Sequence, residues 1–184
     1  MAFARYSYTI SEVLTAAKGS IVAGVTEYAS AIGIDTLTVD ESCVFITFTP
    51  DRARGFAENH ISVRVEPPFP DTLCGAARIG TRVKRPMIVT IFTRTNLDQT
   101  TKDDIWYTDP TLGHYLMEDA VINTFHDRFL FNQDNLNTPL TQTPCHWQPG
   151  LAPIGRPTPD NSWGWSQLIF ELDYIQKLTT NYNT

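Results

Sequence analysis

The side chains able to do chemistry in this sequence fall into a few groups, and each group can be tested against the spacing its chemistry demands. Metal ligation comes first. Cys145 and His146 are adjacent, and His114 and His126 stand twelve residues apart in one apolar-periodic segment. Zinc ligands that share a local motif stand about two to five residues apart, so neither pair fits. No metal ligand is assigned. The carboxylates Asp98, Asp103, Asp104 and Asp109 are grouped as a calcium loop would be, but the segment lacks the alternating ligands and turn glycine of an EF-hand. It reads as a solvated loop ending in an N-cap at Asp109, with Pro110 at the first helical position. Nucleophilic catalysis needs a nucleophile, a base and an orienting group. There is no GxSxG and no glycine-rich phosphate loop, and the serines stand in ordinary contexts. No catalytic residue and no cofactor are expected, and the chain reads as a non-enzyme.

Basic residues are concentrated at Arg52, Arg54, Arg78, Arg82, Lys84, Arg85 and Arg94. Few aromatics stand among them, which disfavours a stacking groove for single-stranded nucleic acid. Two readings remain: solvated charges paired with neighbouring acidic loops, or a salt-bridged interface between subunits. Trp163-Gly164-Trp165 reads as a turn carrying two large rings, which either cap the edge of the core or anchor a contact.

These residues are positioned by a few apolar elements. The central one is the stretch from Arg85 to Arg94. From Met87 to Phe92 it is apolar apart from Thr90 and rich in β-branched and aromatic residues, as a strand buried on both faces would be. Before it, Thr9-Ile10-Ser11-Glu12 fits a capping box. Apolar residues then recur at 10, 13, 14, 17, 21, 25, 28 and 32, one face of a helix. Gly19 and Gly24 weaken that helix, a kink near Lys18-Gly19-Ser20 is expected, and small residues there admit a close neighbour. Gly33 is placed as its C-cap.

Residues 43 to 49 and 60 to 65 alternate as strands, and a wide hairpin is the expected pairing. Residues 66 to 81 read as a long proline-bearing loop. A second helix is expected from about 110 to 131, with an apolar stripe wide enough to touch the sheet and a second partner. Leu140 to Thr143 and Cys145 to Trp147 suggest strand, residues 149 to 160 read as irregular, and Ser166 to Ile175 closes the chain as a strand. The fold class is therefore α+β: a single mostly antiparallel sheet of about 4–6 strands with two helices packed on one face. One domain over 1–184 is expected, with a core at about 9–131 and 165–176 and an extended loop or hairpin insertion at 132–164.

Composition narrows the function. Charged residues make up 18% of the chain, below the roughly 25% of ordinary soluble domains. Net charge is −6, which argues against an electrostatic grip on nucleic acid but suits a protein that DNA passes through without sticking. Cys43, Cys74 and Cys145 are odd in number and widely spaced, and read as free thiols in a reducing compartment. The N-terminus lacks the apolar core of a signal peptide. No apolar run approaches the ~20 residues of a membrane span.

The order of elements carries a resemblance. A capped helix comes first, then two strands, a proline-bearing loop, and an apolar strand ending in Thr93-Arg94 with Asp98 a few residues on. A long helix follows, and a last strand is led in by Trp165 and ends Phe170-Glu171-Leu172-Asp173-Tyr174. This order resembles the tail terminator family of long-tailed bacteriophages, minor tail proteins that cap the tail tube. The resemblance spans about residues 9 to 175, with 132 to 164 longer than the family pattern, and it includes no ligand or catalytic signature. It implies a ring, of hexameric type, that ends tube growth and joins the tail to head-completion or connector proteins. The implied partners are other copies of the chain, the tail tube protein and a connector protein, with DNA as passing cargo and no membrane. The implied location is the virion tail or neck, after assembly in the host cytoplasm. Another neck, connector or tail-tube protein is the alternative, and a small α+β enzyme or ligand-binding protein the second. The expected subunit or tube contacts are Arg52, Arg54, Arg78, Arg94, Asp98, Asp103, Asp104, Trp106, Trp163 and Trp165.

Overall fold

A computed structural model describes residues 7–34, 39–47, 60–68, 74–77, 80–94, 113–132, 135–150, 154–155 and 163–177. Helix α1 runs Ile10–Ala31 and stays helical through Lys18-Gly19-Ser20 without a break. Its start is the capping box. The Thr9 N–H donates to Glu12 Oε2 at 2.7 Å, and the Glu12 N–H donates to Thr9 Oγ1 at 3.2 Å. The Thr9 N–H, together with the Thr9 hydroxyl that donates to the same Oε2 at 2.8 Å, holds the Glu12 carboxyl below its ordinary range, since both bonds favour the ionised form. Its end is a Schellman turn. Gly33 takes φ 77°, the Ile34 N–H reaches the Ala29 carbonyl at 2.8 Å and the Gly33 N–H reaches Ser30 at 3.2 Å. The buried stripe of Val13, Leu14, Ala17, Ile21 and Val25 follows the sequence periodicity.

The second helix, α2, runs His114–Phe125. Asp109 and Pro110 lie outside the described residues, and Gly113 is the N-cap. The helix ends earlier than the apolar pattern suggests. Asp127 adopts φ 57° and turns the chain, and Arg128 then pairs with Cys145. Phe129 and Leu130, which continue the helical pattern in sequence, sit outside the helix, one exposed and the other buried. The wide apolar stripe of α2 does have two partners: the sheet, and α1. The helices approach closely where Gly24 faces Thr124, so closely that a Cβ on residue 24 would lie 2.2 Å from Thr124 Oγ1.

The strands are β1 Val44–Ile46, β2 His60–Val65, β3 Cys74–Ala77, β4 Gly80–Arg94, β5 Phe131–Asn132, β6 Asn135–Pro139, β7 His146–Trp147, β8 Ile154–Gly155 and β9 Trp163–Gln176. Seven of them form one sheet with the continuous order β1-β2-β4-β9-β7, while β3 adds to β4, β8 adds to β9, and β5–β6 is a separate hairpin. This is the α+β class expected, mostly antiparallel, with two helices against the sheet. Several strand expectations fail. β6 ends at Pro139, before the strand expected at 140–143, and β8 lies in the segment read as irregular. β1 and β2 pair in parallel, Val44 opposite Ile61, and not as a hairpin. β3 lies inside the segment read as loop and pairs with the start of β4.

β4 and β9 pair in unbroken register from Thr81↔Gln176 to Arg94↔Trp163, and this ribbon is the spine of the molecule. On one face Met87, Val89 and Ile91 lie with Leu168, Phe170, Leu172 and Tyr174 in the core beneath the helices. Pro86 sits in this central strand, where proline normally breaks a ladder. The Glu66 N–H still reaches the Pro86 carbonyl at 2.9 Å. Proline cannot return the second bond of the pair, and the Glu66 carbonyl accepts instead from Arg85 Nη1 at 3.2 Å. β2 ends there, so only one rung is altered. The outer edge of β9 is covered in pieces by Tyr8, Thr141, β7 and β8, which blunts it as a template for another strand.

Candidate assembly surface

The register of the ribbon brings sequence-remote residues together at one end. Arg94 lies opposite Trp163, and Phe92 opposite Trp165. Trp163-Gly164-Trp165 is therefore strand and not the expected turn, because its backbone pairs with residues 92 to 94. Strand alternation places Phe92 and Trp165 on the face away from the helices. There His60 stacks on Phe92, centroids 4.6 Å apart and planes 14° apart. Phe45 meets His60 edge-on at 6.1 Å and 77°. The result is a row of rings, Phe45, His60, Phe92 and Trp165, across four adjacent strands. His60 and Phe92 are buried, whereas Phe45 and Trp165 are half-buried at its two ends.

Across the ribbon from that row, the same strand ends are clamped to α2. His114, fully buried in the first turn, places Nδ1 2.8 Å from Thr93 Oγ1 and Nε2 2.8 Å from Ser166 Oγ. Glu118, one turn on, has a carboxylate oxygen 3.4 Å from Nε2. A hydroxyl can donate or accept, so either imidazole tautomer is satisfied. His114 is therefore a core residue. It sits on the helix face that meets the sheet. A serine on a histidine suggests a nucleophile and base, but the orienting position at Nδ1 is a threonine hydroxyl, and Thr93, His114 and Ser166 are all sealed from solvent. The arrangement fixes where α2 begins relative to the end of β4.

At the opposite end, the reverse face carries a charge ladder. Arg82 grips Asp173 with both guanidinium arms, Nε to Oδ1 at 2.8 Å and Nη2 to Oδ2 at 2.5 Å. Lys84 donates to Glu171 at 2.6 Å, and Arg64 to Glu66 at 2.8 Å. The bond to Glu171 raises the Lys84 ammonium above its ordinary range. Arg82 and Lys84 were read as loop charges or as interface charges. They are strand residues, paired within the chain. The signal was available in sequence: basic residues at alternate positions of one strand match acidic residues at alternate positions of the other.

Of the expected contact residues, Arg52, Arg54, Arg78, Asp98, Asp103, Asp104 and Trp106 lie outside the described residues. Arg94, Trp163 and Trp165 are the ones the structure brings together. A further cluster, His126, Asp127 and His146, joins side chains that local spacing could not connect. The thiol of Cys145 faces the core, where burial pushes it up to about 12 and leaves it inert. No described helix is long and apolar enough to cross a membrane.

No family model matches the chain, and no curated protein matches it in sequence. Among solved structures, one similar chain comes from the virion of a native gene transfer agent (GTA) particle. It is 13% identical, the match covers 92% of this chain and 99% of that one, and the TM-score is 0.51. At that identity the likeness shows a shared fold.

Proposed function

We propose that this chain is a structural subunit of a phage-type virion, and that it acts as a tail terminator: a ring, of hexameric type, on the last ring of the tail tube. One observation carries the coarser part. The fold corresponds over nearly the whole length of both chains to a component of a gene transfer agent virion, so the likeness is not confined to a common supersecondary motif. The finer part rests on the order of elements shared with tail terminators. The long ribbon, the clamped α2 and the row of rings form a stiff frame that holds the ends of its strands at fixed positions, as a ring subunit requires. In this reading the ring stops tube growth, meets the tube protein on one side and a head-completion or connector protein on the other, and lets DNA pass through an acidic, non-adhesive lumen. The protein is assembled in the host cytoplasm and carried in the virion, and it does no chemistry.

The test is direct. Purified protein, alone or with tail tubes, should form closed rings visible by negative-stain electron microscopy and measurable by sedimentation. Deleting the gene from the parent particle should give over-long tails. Rings with tails of normal length would favour a neck or connector role. A stable monomer at micromolar concentration that never joins a tube would remove the ring reading altogether. Charge reversal at Arg52 and Arg54 should weaken assembly more than folding.

A further inference from the structure

α2 ends at Phe125, and the next residues fold back onto the lead-in to β7. The Asp127 N–H donates to the Cys145 carbonyl at 2.9 Å, and the Cys145 N–H donates to the Arg128 carbonyl at 2.8 Å. The left-handed backbone at Asp127 lets the chain make both bonds. Strand alternation then separates two neighbours: Cys145 turns into the core and His146 turns out to solvent. Asp127 therefore holds its carboxylate between two imidazoles. Oδ1 lies 3.1 Å from His146 Nδ1, and Oδ2 lies 3.6 Å from His126 Nε2. One ring nitrogen from each histidine and a carboxylate oxygen all lie within 4.8 Å of one another.

We propose that His126, Asp127 and His146 form a binding site for a divalent transition-metal ion of the zinc class. Two imidazoles and one carboxylate are a donor set for Zn²⁺ and its borderline-soft neighbours. The set does not suit calcium or magnesium, which take oxygen ligands almost alone. All three residues are exposed, so an ion reaches them without opening the fold. Water, or a donor from a second molecule, completes the sphere. An imidazole that gives Nε2 to a metal carries its proton on Nδ1. The cost at His126 is then the bond that Nδ1 now receives from the Trp147 N–H, a long one at 3.4 Å. Bound metal would tie the end of α2 to the edge strand β7, joining a helix of the core to the 132–164 region. Nothing in this depends on ring assembly.

The test uses untagged full-length protein stripped with a chelator. Zn²⁺ is titrated by calorimetry, and Co²⁺ by its visible absorption. The expected result is saturable binding of one ion per chain, weakened about tenfold or more by His126→Gln, by His146→Gln and by Asp127→Asn. Asparagine tolerates the left-handed backbone, so the last variant keeps the turn. Zn²⁺ should raise the melting temperature of the parent protein and not of the variants, because an ion that binds only the folded state stabilises it. Without metal, the variants should melt with the parent. Absence of saturable binding, Zn²⁺-induced precipitation alone, or a Zn²⁺ shift that survives in all three variants would overturn the site and leave an exposed His–Asp–His ion pair.

Discussion

The two faces of the β4–β9 ribbon are built from alternate residues of the same strands, yet they are held by different forces. Beneath the helices, Met87, Val89 and Ile91 meet Leu168, Phe170 and Leu172 in an apolar layer, where stability follows the area removed from water and the quality of packing. On the reverse face, Arg82, Lys84, Glu171 and Asp173 form ion pairs at one end, and His60, Phe92 and Trp165 form a row of rings at the other. The apolar layer of the first face is indifferent to salt and intolerant of changes in volume. The second responds to charge, and its aromatic end has half-buried rings at its margins. A strand pair with such unlike faces is suited to holding a frame on one side while presenting charges and rings on the other.

The largest effect should come from hollowing the helix side. Phe170 is fully buried, and its ring lies 5.2 Å from that of Phe125 at 58°. Phe170→Ala should cost about 3–5 kcal/mol in urea unfolding. A loss below about 1 kcal/mol would mean this layer is looser than described. Overfilling the same side is the next test. At Gly24 a Cβ would collide with the side chain of Thr124, so Gly24→Val should cost about 2–3 kcal/mol. Adding Thr124→Ala should recover only part of that loss, because the Cβ of residue 124 would still lie 2.9 Å from the new one. If Gly24→Val alone proves neutral, the helices do not approach as described.

The reverse face should respond less. Arg82→Ala leaves the Asp173 carboxylate, 1% exposed, without its bidentate partner. Breaking a fully buried pair costs more, but nearly half of Arg82 is in water, so about 1–2 kcal/mol is expected. Asp173→Asn, combined with Arg82→Ala, should recover part of it by removing the stranded charge. Failure of the double variant to recover any stability would show that the two groups do not act as a pair.

These contrasts also explain what the sequence made legible. The capping box at Thr9 and Glu12, the turn at Gly33 and the strands around Met87 and Phe170 are encoded in a few consecutive residues, and they were readable. Close approach was expected near Gly19, whereas the structure places one at Gly24, against Thr124. The end of α2 was missed because Phe129 and Leu130 keep a helical apolar spacing, while the residue that breaks the helix, Asp127, is a common helix-surface type. The parallel pairing of β1 with β2 depends on a crossover that local pattern does not specify. The sites were harder than the fold. His114 meets Thr93 and Ser166, and His126 meets His146, only after β4, α2 and β9 are packed. Spacing rules written for local motifs have no access to such pairs.

The smallest effect is the most discriminating, because it compares two rungs of one ladder. Lys84 and Glu171 are bonded at 2.6 Å, but their side chains are 39% and 23% exposed. Water and salt screen such a pair, and Lys84→Met should cost only a few tenths of a kcal/mol near neutral pH. Its pH dependence has a definite sign. Donating to Glu171 raises the ammonium above its ordinary 10.5. The stability it contributes is therefore fully present below 10.5 and is lost as pH rises through the folded value. The gap between Lys84→Met and the parent should close in strong alkali. It should also close in about 1 M NaCl, where the screening length falls to about 3 Å. The gap between Arg82→Ala and the parent should persist in that salt, because the Asp173 carboxylate is out of reach of the ions. Equal loss of both gaps would mean that Asp173 is solvated, and that the reverse face is an ordinary wet surface along its whole length.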